Sequence, residues 1–137
     1  MKTIIVGYDG TEAAQRALTR AADFAGAFGS SVVVMSVAHV MTATAHGGGS
    51  VDPTDPPEEH QALLETARAA LAERGVTSEA QLGVGDPAEA IVELAEQRGA
   101  DLIIVGTREP GFFERLLGQS VSAAVHRHAH CDVLIVH

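Results

Sequence analysis

Five short apolar runs, separated by helix-periodic segments, limit this chain more than any other feature of its sequence. Thr3–Tyr8, Ser31–Ala38, Asp101–Gly106 and Asp132–Val136 are rich in Val, Ile and Leu with little polar alternation, and Glu79–Val84 is a weaker fifth run. Continuous apolar runs of this length read as strands buried on both faces. Between them the period changes. Ala14, Leu18, Ala21, Ala25 and Phe28 recur every three or four residues after Asp9-Gly10-Thr11, which supplies a turn and a cap, and Gly29 ends the pattern. Leu64, Ala67 and Leu71 form a second stripe within Glu58–Glu73, closed by Gly75. Ala88, Ile91, Leu94 and Ala95 form a third, opened by Gly85-Asp86-Pro87 with Pro87 in the first helical position. A last helix is expected over Phe113–Ala129.

Alternating strands and helices imply an α/β fold: a doubly wound, five-stranded parallel sheet with helices on both faces, Rossmann-like in plan. In such sheets a ligand sits at the carboxyl ends of the strands, where strand order reverses. The loops to watch are therefore Tyr8–Thr11, Val37–His39 and Gly106–Gly111.

The chain of 137 residues suits one domain, residues 1–137. The segment Thr42–Pro57, with Gly47-Gly48-Gly49-Ser50 and three prolines, reads as a long flexible loop. A formal net charge of -9 argues against a broad nucleic-acid surface, although one bound nucleotide needs only a local pocket. Cys131 stands alone, no secretory signal opens the chain, and no apolar run reaches membrane-spanning length; together these point to a cytoplasmic protein without a membrane partner. His126, His128 and His130 read as cations near a helix end rather than a metal cluster, and Cys131 as an inert small hydrophobe. No Ser-His-Asp order, Walker loop or zinc signature is apparent.

Four stretches carry a family resemblance. They are Ile4-Ile5-Val6-Gly7-Tyr8-Asp9-Gly10-Thr11, Gly85-Asp86-Pro87-Ala88-Glu89-Ala90-Ile91-Val92, Ala100–Arg108, and Ser120-Val121-Ser122 followed by His128–Val136. In order and at this spacing they resemble the universal stress protein family across nearly the whole length. The resemblance implies the adenine nucleotide alpha hydrolase-like fold. In one branch of the family it also implies a bound adenine nucleotide, ATP or AMP, with Mg2+ accompanying ATP. By that likeness Asp9 and the backbone of Val37 hold the adenosine part. A loop of pattern Gly-x2-Gly-x9-Gly-Ser/Thr holds the phosphates, and here it would draw on Gly106, Thr107, Arg108, Gly111, Gly118, Ser120, Val121 and Ser122.

Two positions depart from that pattern: Glu109 replaces the second glycine, and Gln119 the third, with Gly118 one residue early. A carboxylate about 6 Å from a phosphate, at an effective dielectric near 20, repels it by roughly 2–3 kcal/mol. Arg108 and Arg115 can offset part of this. Three readings follow: a non-enzymatic nucleotide-binding stress protein, a dimeric interaction module that has lost the ligand, and a weak ATPase. The resemblance further implies a homodimer built by pairing the edge strand Val133–Val136 with its copy.

Overall fold

The computed structural model describes residues 1–41, 50–51, 55–107 and 121–137. The elements run β1 (Thr3–Gly7), α1 (Glu12–Phe28), β2 (Ser31–Ala38), β3 (Val40–Met41), β4 (Ser50–Val51), α2 (Pro57–Glu73), β5 (Ser78–Val84), α3 (Pro87–Arg98), β6 (Leu102–Gly106), α4 (Val121–His128) and β7 (Asp132–Val136). Five strands form one sheet in the order β5-β2-β1-β6-β7, and every pair in it is parallel. Strand order reverses between β1 and β6, which places the crevice at their carboxyl ends.

Successive strand residues point to opposite faces, and the two faces have separate apolar layers. Ile4, Val6, Val32, Val34 and Ile104 meet α1 and α2 through Ala17, Leu18, Ala21 and Leu64. Ile5, Val33, Met35, Ile103 and Val105 meet α3 and α4 through Ile91, Leu94, Ala95 and Val125. With both faces covered, no polar alternation is needed, which is why the central strands read as unbroken apolar runs.

Helix starts and stops follow local chemistry. Thr11 Oγ1 accepts the Ala14 N–H at 3.2 Å and caps α1; Gly29, at φ 66°, donates to the Ala25 carbonyl and ends it. Asp86 caps α3 by accepting the Glu89 N–H at 2.9 Å, with Pro87 in the first turn as expected.

Two expectations change. Phe28, read as part of the buried stripe, is 57% exposed and stacks on Phe24 with ring centroids 6.0 Å apart. The helical period continues to Phe28, but the helix has by then outrun the sheet. The connection expected to be loop from Thr42 to Pro57 is also more structured at its ends. Val40 pairs with Val51 and Met41 with Ser50 as an antiparallel ladder, and Pro57 already belongs to α2. Residues 42–49 and 52–54 of that connection lie outside the described residues. The weak signal of β5 reflects its place at the sheet edge: it pairs with β2 from Ser78 to Val84, yet most of its side chains are not buried.

Candidate functional site

Three strand ends meet at the crevice. After β1, the Tyr8 N–H donates to the Met35 carbonyl at 2.8 Å, the last rung of the β1–β2 ladder. The chain then turns. Asp9 Oδ1 accepts from the Thr11 N–H at 3.1 Å and from the Thr11 hydroxyl at 2.6 Å, an Asx turn that sets Thr11 to cap α1. Gly10 sits at φ 81°, and a Cβ there would meet Leu63 Cδ2 of α2 at 2.8 Å.

Val37 is placed by register. Met35 presents its carbonyl to the β1 side, and Ala38 presents its carbonyl to Gly85 N–H on the β5 side. Peptide groups alternate sides along a parallel strand, so the Val37 N–H and C=O face the β1 side. Because β1 stops at the Gly7–Met35 pair, they face the crevice.

At β6, Gly106 has a packing reason to be glycine. A Cβ would lie 2.5 Å from the Ala13 carbonyl carbon and 2.8 Å from Ala14 N, inside the first turn of α1. Thr107 ties β6 to β7: its N–H and its hydroxyl both donate to the Val136 carbonyl, at 2.8 and 2.9 Å. Val121, at the head of α4, lines the crevice, whereas Ser122 is buried in the α4 packing and does not. Arg108, Gly111, Gly118 and Ser120, with Glu109 and Gln119, lie outside the described residues.

Together these ends enclose a cleft of about 690 Å³. Asp9, Glu12, Asp55 and Glu59 line it, against Arg16 as the one Arg or Lys among the described residues of the wall. Arg16 is held by the His137 carbonyl at 2.9 Å, with Glu12 4.0 Å away.

One wall holds a constellation that sequence reasoning missed. Ser36 Oγ lies 2.6 Å from His60 Nδ1, and His60 Nε2 lies 2.6 Å from Asp55 Oδ1. The other Asp55 oxygen accepts the His39 N–H at 2.8 Å. Ser36 is 1% exposed and His60 8%. Burial pushes the Asp55 carboxyl up, but the bonds from the His39 N–H and the His60 ring outweigh it and hold it below the usual carboxylate range. An ionised Asp55 only accepts, so His60 carries its proton on Nε2; in the neutral ring Nδ1 then accepts the Ser36 hydroxyl. The polarity is that of a Ser–His–Asp triad. Its accessibility is not, because the serine sits inside the wall and the neighbouring His39 N–H is already taken by Asp55. The arrangement holds the carboxyl end of β2 to the start of α2.

Among the described residues no group of three or more His, Cys, Asp or Glu is placed to hold a metal ion. His130 instead approaches Glu96 of α3 at 3.5 Å. No helix of the described residues is long and apolar enough to cross a membrane.

A family model for the "Universal stress protein family" matches residues 1–137. The chain belongs to the universal stress protein family. Among its universal stress protein relatives, Rv1636 of Mycobacterium tuberculosis is 35% identical over 144 residues, covering 99% of this chain and 96% of its own length. MJ0531 of Methanocaldococcus jannaschii is 33% identical over 138 residues, covering 98% of this chain and 81% of its own. A solved universal stress protein in complex with cAMP superposes with a TM-score of 0.76 at 31% identity, covering 99% of this chain and 97% of that one. An Archaeoglobus fulgidus universal stress protein in complex with dAMP, 23% identical with a TM-score of 0.75, supports the fold.

Proposed function

We propose that this universal stress protein binds an adenine nucleotide in the cleft at the carboxyl ends of β1, β2 and β6, without turning it over. The observation that carries the reading is the Val37 peptide, whose N–H and C=O face the cleft past the end of β1. One donor beside one acceptor is what the amino–imine edge of adenine requires. The solved relative that holds cAMP, 31% identical across 99% of this chain, supports the same assignment. Asp9, which lines the same cleft, would take the ribose, and Gly106, Thr107 and Val121 the phosphates. Arg108, Gly111, Gly118 and Ser120 complete the proposed set, and Ser122, buried away from the cleft, drops out of it.

The acidic wall orders the candidate ligands. Among the described residues of the wall, four carboxylates against Arg16 repel an uncompensated triphosphate more than a monophosphate. AMP or a similarly charged nucleotide is therefore favoured, and ATP enters with Mg2+ to offset its charge. Binding rather than catalysis is favoured because the Ser36 hydroxyl is buried. The ligand would act as a signal read by a partner in a cytoplasmic stress response.

Chromatography with mass detection of the small molecules released on denaturation, followed by calorimetric titration with AMP, cAMP and ATP with Mg2+, tests this. Adenine nucleotide at near-stoichiometric amounts, or saturable heat, supports it. No release and no heat with any of the three overturns it.

A second reading rests on β7, which among the described strands pairs with β6 alone and carries the half-buried Val133, Leu134 and Ile135 at the sheet edge. An edge strand of this kind offers unpaired peptide groups to another chain, and a homodimer through Val133–Val136 uses them. Sedimentation showing only monomer at micromolar concentration would remove it.

A further inference from the structure

We propose that Asp55 is a positioning residue that makes the β2 edge selective for 6-aminopurines over 6-oxopurines. The inference rests on the nucleotide reading above and deepens it.

Along β2 the peptides of Met35, Val37 and His39 share one side. Met35 is used by Tyr8, and β1 goes no further. Left to the strand alone, the open groups beyond it would run donor, acceptor, donor: Val37 N–H, Val37 C=O, His39 N–H. The first two suit adenine, whose N1 accepts and whose 6-amino group donates. The last two suit the opposite polarity, a 6-oxopurine whose N1–H donates and whose O6 accepts. Asp55 removes that second option by taking the His39 N–H at 2.8 Å.

Asp55 is itself held for the task. His60 fixes its other oxygen at 2.6 Å and is fixed in turn by Ser36 at 2.6 Å. Both partners are buried, and all three, with His39, line the cleft. The carboxylate is therefore kept on the His39 N–H instead of swinging into solvent. A hydrogen-bonded base edge discriminates between bases by about tenfold or more, so blocking the competing register has a measurable effect.

The test compares calorimetric affinities for AMP and IMP in the full-length protein and in three variants. The wild-type chain should prefer AMP by about tenfold or more. Asp55→Ala should narrow the ratio to near unity, chiefly through tighter IMP binding, because the His39 N–H is released. Asp55→Ser, which is too short to reach His39 but still polar, should narrow it likewise and covers the case in which the alanine variant does not fold. Asp55→Asn, whose amide oxygen can still accept from His39, should keep the preference. A purely structural role would weaken AMP and IMP together and leave the ratio unchanged, which would overturn the inference alone. A wild-type chain that binds neither nucleotide would overturn the binding reading and this inference with it.

Discussion

The two ends of the sheet each use an aspartate to accept two N–H groups, with different consequences. At the amino ends of the strands Asp101 accepts the Lys2 and Thr3 N–H groups at 2.7 and 3.0 Å and fastens the chain start to β6. Around it Arg98–Glu79 and Arg74–Asp23 pair at 2.7 Å with side chains roughly half exposed. At the carboxyl ends Asp55 also holds two N–H groups, but one belongs to a buried histidine and the set forms part of a cleft wall. Water stands ready to replace any partner lost at the first end. At the second end the Ser36–His60 bond is buried away from water, so removing the histidine strands the serine hydroxyl. The same residue type is a solvated fastening in one place and a committed part of a site in the other.

Five substitutions break or sharpen that contrast. The largest effect belongs to Gly106→Ala. Its Cβ would press on the Ala13 and Ala14 backbone, which cannot swing aside, and the cost should reach about 3 kcal/mol in denaturant unfolding. A cost under about 1 kcal/mol would mean that packing is not what calls for glycine there.

Next comes His60→Leu, which leaves Asp55 and Ser36 facing an apolar side chain. Unfolding should show a loss of about 1–3 kcal/mol, with Ser36→Ala at the lower end of that range.

Smaller still is Asp101→Asn, read as a drop in melting temperature that depends on pH. The Thr3 and Lys2 N–H groups hold this carboxyl below its ordinary value. A depressed carboxylate contributes stability above its unfolded pKa of about 3.9 and loses that contribution as pH falls through the folded value. The drop should thus be present at neutral pH and shrink as pH falls below the unfolded pKa of about 3.9. Asp55 follows the same sign.

The smallest effect is expected for Arg98→Ala, about 0.2–1 kcal/mol, fading at high salt because the pair is exposed. Should it match His60→Leu, the contrast between the two ends would fail.

What the sequence revealed follows the range of each signal. The strands, their two-sided burial and the turn at Asp9-Gly10-Thr11 are local, because each is written in a few adjacent residues. The family likeness rests on equally local stretches, which flank the loops around the cleft. The Ser36–His60–Asp55 set left no such trace. Ser36 stands in the apolar run Val32–Ala38 and reads as a strand residue; Asp55 stands among prolines; His60 occupies one position of a helix. Only the return of α2 over the sheet brings them together, across a separation of 24 residues between Ser36 and His60. Phe28 errs in the other direction, since periodicity reports which way a side chain points but not whether the sheet extends that far.

The paired ends of the connection between β2 and α2 have a further consequence. The His39 N–H and Asp55 carboxylate close it at its base, and the Val40–Val51 and Met41–Ser50 pairs close it again one step out. The ring is thus already shut independently of what lies between residues 41 and 50. Each doubling of the enclosed length then adds only about 0.6 kcal/mol of closure entropy. That makes this connection the natural place to graft extra sequence, such as a fluorescent reporter, beside the cleft without disturbing the order of the strands.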